Sequence, residues 1–313
     1  MRARRFSFRS GGWVLLLAGA LSLLAAWPLL RPVLRSPGAR AVGDGRHVES
    51  YGFDLTRLAV PRAGLAASGL PKDGLPTLDR PPVMPGAEVA ATYRARKKYL
   101  VADDEVIGVV VNGEARAYPL RVLNWHEIVN DVLGGKPIAV TYSPLSDGTA
   151  VFDRVMDGKT VEFGVSGLLY DSNLVMYDRG GASLWNQLRA EAIAGPAVGT
   201  QLRILPCART RWGPWLATHP KTTVLRPDPN YFERYRRDPY GNYVVTGKPR
   251  FPADPMPPPG IPPMTRVMAW RPSPSDAWQV VRAGENPDLP GRERIYAFWF
   301  AWYATHEGRV ILK

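Results

Sequence analysis

The sequence predicts a β-rich α+β fold with mixed or antiparallel sheets and short helices, preceded by one N-terminal transmembrane helix. Three observations predict this class. Apolar runs rich in Val and Ile recur from residue 106 onward between Gly- and Asn-containing turns. Few segments show a helical period, and an uncharged apolar run lies near the N-terminus. With 313 residues, of which 45% are hydrophobic and 22% charged, the chain is long enough to bury a large core.

The N-terminal apolar run spans residues 13–30, W-V-L-L-L-A-G-A-L-S-L-L-A-A-W-P-L-L. One helical membrane crossing needs about 20 apolar residues, and Trp13 and Trp27 suit the two interfaces. The basic segment 1–12 favours a cytoplasmic N-terminus. We therefore expect a single-pass cell-membrane protein whose folded part is extracytoplasmic (periplasmic). A cleaved signal peptide is the alternative, because residues 39–41 (A-R-A) resemble a cleavage site, but the run exceeds the usual h-region of about 7–15 residues.

The charge distribution argues against nucleic acid as a partner. The net charge is +12, but residues 1–43 contain seven Arg and no acid, which leaves 12 − 7 = +5 for the rest of the chain. The basic excess is therefore mainly a membrane-topology signal. The single cysteine, Cys207, excludes an intramolecular disulfide, and its apolar sequence context predicts a buried structural thiol.

Four segments follow the apolar run in the predicted domain organisation. Residues 31–71 are rich in Gly, Ala, Pro and Arg and are interpreted as a flexible tether, and 72–245 as the core domain. Eight prolines between residues 249 and 263 predict an extended Pro-rich crossing over 246–264. The remaining residues, 265–313, are interpreted as an abbreviated second lobe.

Within the core domain the predicted elements are mostly strands. A strand over 106–111 is followed by the turn Asn112-Gly113 and a returning strand over 115–118. Apolar residues at i, i+3, i+7 and i+10 between Val122 and Val132 predict a short amphipathic helix. Further strands are predicted over 138–142, 150–155, 160–165 and 174–177, with a hairpin turn at 156–159.

Two short stretches of the core recur near the C-terminus. W-L-A-T-H at 215–219 matches W-Y-A-T-H at 302–306 at an offset of 87, and 106–118 resembles 266–278 at an offset of 160, which pairs Ile107 with Val267 and Tyr118 with Trp278. These matches predict an internal duplication whose second copy has lost the region 123–153. Chance similarity of short aromatic segments is the alternative.

Several sequence patterns resemble known sites but lack an essential residue. The run from His126 to Asn130 begins like the zinc-binding H-E-x-x-H but lacks the second His, and 164–168 (G-V-S-G-L) lacks the closing Gly of a nucleophile elbow. Only four histidines are present. The sequence thus leaves metals and cofactors unknown.

The remaining candidates are polar or aromatic residues that surround a predicted helix, a strand end and a later strand pair. They are Asn124, Trp125, His126, Glu127, Ser143, Ser146, Asp147, Tyr170 and Asn173. We expect them to line one ligand pocket around His126, with His126, Ser143 and Ser146 as the candidate catalytic groups. A purely structural interpretation is also open, because Asn124 and Glu127 have the spacing of a capping box.

The segment from about 73 to 243 closely resembles a prokaryotic family catalogued as domain of unknown function 3179. The matching blocks include V-I-G-V-V-V-N-G-E-A-R-A-Y-P-L, L-N-W-H-E-I-V-N-D, T-Y-S-P-L, F-G-V-S-G-L-L-Y-D-S-N and S-L-W-N-Q. The resemblance implies a shared fold but no reaction. Family members often have Cys at the positions of Ser143 and Ser146, which implies that any thiolate chemistry of the family is lost or altered here.

Three functions remain open on sequence alone. The first is a membrane-anchored, extracytoplasmic binding or accessory protein with a small-ligand or metal pocket around His126. The second is a hydrolase or transferase that uses Ser143 or Ser146 as nucleophile and His126 as base. The third is a structural surface protein without an active site.

Overall fold

The structure is a computed structural model that describes residues 42–89, 99–284, 292–308 and 312. Its α-helices are all short: α1 (Leu120–Leu123), α2 (Trp212–Thr218), α3 (Phe232–Tyr235), α4 (Gly241–Thr246) and α5 (Trp299–Thr305). The strands are β1 (Leu65–Ala67), β2 (Leu78–Asp79), β3 (Val83–Pro85), β4 (Glu105–Val111), β5 (Glu114–Pro119), β6 (Ile128–Leu133), β7 (Lys136–Ser143), β8 (Gly148–Asp153), β9 (Val155–Met156), β10 (Lys159–Thr160), β11 (Phe163–Tyr170), β12 (Asn173–Asp178), β13 (Leu184–Asn186), β14 (Glu191–Ala194), β15 (Ile204–Leu205), β16 (Ala208–Arg211), β17 (Thr223–Leu225), β18 (Arg266–Arg271), β19 (Gln279–Arg282) and β20 (Glu293–Phe298).

These strands form three large sheets and one small hairpin, β9-β10. Sheet A has the order β1-β11-β12-β13-β14, and sheet C has the order β16-β4-β5-β17-β3. Sheet B has the order β19-β18-β20-β8-β7-β6-β2, with β15 also paired to β8. Most neighbours are antiparallel, whereas β2 runs parallel to β6 and β17 parallel to β5. The predicted β-rich class with mixed or antiparallel sheets and short helices is confirmed.

Sheet B is the middle layer of the molecule. Successive residues of a strand point to opposite faces of its sheet. Val129 and Val140 pack into a hydrophobic cluster shared with sheet C, whereas Ile128 and Ala139 pack into a cluster shared with sheet A. Both faces of sheet B are thus covered, and every residue of β8 is buried.

Two predicted turns are confirmed by their backbone conformations. Asn112 and Gly113 join β4 to β5 with φ angles of 48° and 82°, and Asp157 and Gly158 join β9 to β10 with φ angles of 47° and 74°. Two successive left-handed residues form the tight turn that matches the twist of a hairpin.

The predicted amphipathic helix from Val122 to Val132 is wrong beyond its first turn. Helix α1 ends at Leu123, and Ile128–Leu133 is strand β6, paired antiparallel with β7. β-branched residues dominate the second half of this segment, and they favour a strand once a partner strand is available. The spacing that suggested a helix is therefore overridden by sheet pairing.

The predicted flexible tether over 31–71 is wrong for residues 42–71. Leu65 pairs with Tyr170 in sheet A, and the Tyr51 side chain is 1% exposed. Apolar residues of this segment cover the face of sheet A that points away from sheet B. They lack a regular period because they lie in turns and 3-10 segments, not in one amphipathic helix.

The predicted division of 265–313 into a separate second lobe is also wrong. Strand β20 continues sheet B by pairing with β8, with Tyr296 opposite Thr149. The pairing covers an edge of β8 that would otherwise leave backbone groups without partners. As predicted, 246–264 contains no strand and little helix, but Phe251 and Ile261 pack against the core.

The same order of elements occurs twice. β4 lies between β5 and β16 and α2 follows β16, while β18 lies between β19 and β20 and α5 follows β20. At each helix end a His ring stacks on a Trp ring at 3.9 Å, as His219 on Trp215 and His306 on Trp302.

The strand pairings correct the predicted alignment of the two copies. At the offset of 87, Thr210 corresponds to Ala297, and their partners in the central strands are Val106 and Val267. Ile107 therefore corresponds to Met268, one residue from the sequence match, and Tyr118 to Val281 instead of Trp278. The duplication itself stays a prediction.

The predicted basic segment 1–12 and the predicted membrane anchor 13–30 lie outside the described residues. Within the part of the chain that the structure describes, no helix has the length and apolar character needed to cross a membrane.

Because residues 42–71 belong to the fold, we expect Tyr51→Ala to lower the free energy of unfolding by about 3–5 kcal/mol, the cost of removing a large buried side chain. Tyr51→Phe removes only the hydrogen bond that its hydroxyl donates to Leu70 O at 2.5 Å, and is expected to cost about 1 kcal/mol. Chemical denaturation measures both changes. A Tyr51→Ala variant as stable as the wild type would restore the tether interpretation.

Candidate functional site

The His126 imidazole is buried and both of its nitrogens have partners. Nδ1 lies 2.7 Å from Pro76 O, and Nε2 lies 2.8 Å from the Tyr235 hydroxyl. A carbonyl oxygen can only accept, so Nδ1 carries the proton and Nε2 accepts from Tyr235. The Tyr231 ring packs at 4.8 Å, and burial lowers the His126 pKa. His126 is therefore a neutral, satisfied histidine with no nitrogen free for a substrate.

The two candidate serines belong to a different, fully buried polar network. Ser143 Oγ accepts a hydrogen bond from Leu174 N at 3.2 Å, and Ser146 Oγ lies 2.8 Å from the Asn173 side-chain amide. That amide also lies 2.8 Å from the side-chain amide of Gln187. These contacts join β7 and the loop before β8 to β12 and to the residue after β13 of the neighbouring sheet.

No described hydrogen bond links His126 to either serine. Because Tyr235 occupies the accepting nitrogen, the base that Ser143 or Ser146 would need is already engaged. The hypothesis of a serine nucleophile with His126 as its base finds no geometric support.

Asp147 lies in a partly buried ion cluster. Its two carboxylate oxygens are 2.9 Å from Arg209 Nη2 and 3.0 Å from Arg266 Nε, and it accepts a hydrogen bond from the Tyr142 hydroxyl at 3.0 Å. Glu105 is bonded to both arginines. The cluster ties sheet C to sheet B, and its charges are paired, so we assign Asp147 a structural role.

The remaining predicted site residues do not converge on His126 as one pocket. Asn124 follows α1 and lines a shallow surface depression, and Trp125 is half-buried with the Arg234 guanidinium 5.8 Å from its ring centre. Tyr170 ends β11 and is buried against the segment that carries Leu65. The expectation of one shared pocket around His126 is therefore wrong.

Glu127 is the predicted residue that does face a cavity. The cavity has a volume of about 310 Å³ and lies between sheet A, the loop after β7 and the segment after α3. Apolar residues form most of its wall. The lining residues are Ser68, Gly69, Leu70, Leu75, Glu127, Leu145, Val165, Gly167, Leu168, Leu169, Leu174, Tyr240, Arg250 and Phe251.

The backbone holds Glu127 in an unfavourable conformation. Its φ is 55°, in the left-handed region that favours glycine. The conformation is fixed on both sides, since Glu127 N donates to Leu123 O at 2.8 Å and Glu127 O accepts from Tyr142 N at 2.8 Å. A strained non-glycine residue at a cavity wall is typical of sites where the side chain has a role.

The Glu127 carboxyl group is buried without a counter-charge. It is 9% exposed, and no hydrogen bond or ion pair joins it to another described residue. Burial alone raises its pKa to about 8. The group is therefore mainly a neutral carboxylic acid at pH 7, able to donate one hydrogen bond and accept others.

Two residues after α3 complete the polar part of the cavity. The pKa of Tyr240 is raised, first by burial and then by the charge of Glu127, so the two side chains lie within electrostatic reach of each other. Arg250 is exposed at the rim, with its guanidinium 5.3 Å from the centre of the Tyr243 ring.

Sequence reasoning missed the residues that close this cavity. Tyr240, Arg250 and Phe251 lie more than a hundred residues after Glu127 and carry no motif. A glycine inside a predicted strand, Gly167, was a weak sequence signal of this cavity. Its φ is 81°, and it lies at a register shift between Val165 and Leu168 that opens β11 at the cavity wall.

Residues 72–286 match the family described as Protein of unknown function (DUF3179). The chain belongs to this family. The match extends past the region recognised from its motifs and includes β18 and β19. No curated protein and no solved structure matches the chain.

Within the described ranges, no group of three or more His, Cys, Asp or Glu side chains could hold a metal ion. Cys207 is buried as predicted, and burial raises its pKa to about 12. Its thiolate is therefore scarce at neutral pH.

The raised pKa of Glu127 predicts a pH-dependent stability. Between the unfolded pKa of 4.5 and the folded value of about 8, only the unfolded state loses its proton, so the wild type loses stability as pH rises through this window. We expect Glu127→Gln to gain stability relative to wild type between pH 5 and pH 8, since a pKa difference of one unit is worth about 1.4 kcal/mol. Chemical denaturation at both pH values measures the gain. Glu88→Gln, at an exposed position, is the matched control, and equal behaviour of the two variants would contradict a buried acid.

His126 predicts the opposite dependence at lower pH. Its folded pKa lies below the ordinary histidine value of 6.5, so its contribution to stability is present above pH 6.5 and is lost as pH falls below it. We expect His126→Gln to flatten the fall in unfolding free energy between pH 6.5 and pH 5. An unchanged slope in this variant would show that the histidine is accessible and not buried as described.

Proposed function

We propose that this protein is a membrane-anchored, extracytoplasmic binding protein that takes a small, mostly apolar ligand into the Glu127 cavity. The observation that carries the proposal is a carboxyl group that is buried in an apolar cavity with no described hydrogen-bond partner. The apolar wall gives this carboxyl no counter-charge, and a ligand that bonds to it supplies the missing partner.

The shape and lining of the cavity suit a ligand of this kind. Its volume of about 310 Å³ is at the lower end of the range for small-molecule sites. Leu75, Leu145, Leu169 and Leu174 supply apolar contact area, while a few polar groups remain to orient the ligand. A neutral acid in such surroundings favours uncharged ligands, because a bound ion would have to give up its hydration.

Attachment to the membrane is the second part of the proposal. It is supported by the uncharged run over 13–30 and the arginines that precede it. Placement of the folded part outside the cytoplasm follows from the same charge bias. The single cysteine is compatible with this location, since no disulfide is needed in a chain with a core of this size.

A cavity-filling variant tests the binding function. We expect indole to bind the full-length chain in lipid nanodiscs, and Leu75→Trp, which fills the cavity, to weaken binding at least tenfold. Ligand-detected NMR with titration measures the affinity. Leu216→Trp, a matched change at a half-buried position on α2, is expected to bind like the wild type. Equal binding by all three proteins would show that the signal comes from lipid or surface and would contradict the proposed cavity.

A further inference from the structure

A carboxyl side chain and a phenol side chain line the Glu127 cavity from different parts of the chain. Glu127 lies in the turn between α1 and β6, and Tyr240 is the residue before α4. The Tyr240 side-chain hydroxyl, like the Glu127 carboxyl, has no hydrogen bond to another described residue. Both residues line the same cavity of about 310 Å³, so one small ligand can contact both groups.

The two groups act together as donors. A neutral carboxylic acid has one O–H to donate, and a phenol has one as well. A carbonyl oxygen has two lone pairs and can accept both. A buried acid that stays protonated beside a tyrosine is a known arrangement for holding a ligand oxygen in an apolar site, with ketosteroid isomerase as the type case.

The rim of the cavity disfavours the alternative of a cationic ligand. An ammonium group would require Glu127 to be ionised, in a place where no described charge stabilises the carboxylate. Arg250, exposed at the rim, would also repel an approaching cation. The leucines of the wall offer no acceptor or donor side chain of their own.

We propose that the cavity binds a neutral carbonyl compound whose oxygen accepts hydrogen bonds from the Glu127 carboxyl and the Tyr240 hydroxyl. The apolar remainder of the ligand packs against the leucines and Phe251. This inference rests on the proposed binding function and adds the chemical class of the ligand.

Binding of a carbonyl compound depends on the proton of Glu127. The groups that face Glu127 within the described lining are Tyr240 and Arg250, both from the segment after α3. When Glu127 ionises above about pH 8, its carboxylate can no longer donate and repels the ligand oxygen. The affinity therefore falls as pH rises through this value.

Three probes with the same carbon skeleton test the ligand class on the full-length chain in nanodiscs. They are acetophenone with a carbonyl group, 1-phenylethylamine with an amine, and ethylbenzene with neither. Two hydrogen bonds with a net contribution of about 0.5–1.5 kcal/mol each predict that acetophenone binds roughly 5- to 150-fold more tightly than ethylbenzene. Infrared spectroscopy should show the carbonyl stretch of bound acetophenone moved to lower wavenumber.

Variants connect this signal to the two residues. Tyr240→Phe and Glu127→Leu are each expected to reduce the shift of the carbonyl stretch and to lower acetophenone affinity, with ethylbenzene affinity unchanged. Glu127→Gln keeps a donor, so it should retain part of the shift and lose the decline in affinity above pH 8. Tyr231→Phe, a tyrosine next to His126 and outside the cavity lining, is the matched control and should leave the shift in place.

The outcomes separate the two proposals. Equal affinities for acetophenone and ethylbenzene, both lost in Leu75→Trp, would overturn the carbonyl inference and leave the binding function standing. Tightest binding of 1-phenylethylamine, with affinity that rises with pH, would overturn it in favour of an amine held by the Glu127 carboxylate. If Leu75→Trp abolishes the binding of none of the three probes, the proposed binding function fails as well.

Discussion

The fold depends on the burial of sheet B on both faces. Its strands contact sheet C through one set of residues and sheet A through the alternate set, so each polar group within it must find a partner inside the protein. The buried serines, Asn173 and Gln187 meet this requirement by bonding to one another across two sheets. Asp147 meets it through two arginines. The carboxyl of Glu127 has no such partner among the described residues and lines a cavity instead.

The neighbours His126 and Glu127 show how one turn can separate structure from function. The His126 ring packs towards Tyr231 and Tyr235, where both nitrogens are bonded. Glu127, in a left-handed conformation, faces the other way into the cavity at the edge of sheet A. The strain at Glu127 is offset by backbone hydrogen bonds to α1 and β7, which also fix the direction of its side chain. A chain that needed only a turn here could use glycine without strain.

The segment after α3 closes one side of the cavity. It carries Tyr240 and Phe251 to the cavity wall, and Ser172 Oγ donates to Phe251 O at 2.7 Å and holds the segment against the turn between β11 and β12. The first turns of the described chain supply Leu70 and Leu75 on the opposite side. The cavity therefore exists only when the N-terminal turns, sheet A and the Pro-rich segment are folded together. This requirement explains why the tether that the sequence suggested is not an independent unit.

Local sequence patterns were sufficient for most strands, for the two left-handed hairpin turns, for the burial of Cys207 and for membership of the DUF3179 family. These features are set by side-chain alternation and by residues that tolerate positive φ, which act over a few residues. The sequence also predicted Glu127 as a site residue, but in a pocket centred on the adjacent residue His126. Only the tertiary structure decided that the segment from Ile128 is a strand, that β20 extends sheet B, and that Tyr240 lines the same cavity as Glu127. Those outcomes depend on partner residues far away in the chain, which a local sequence pattern does not contain. The free energy of ionising a buried acid likewise depends on the groups that surround it in the folded protein.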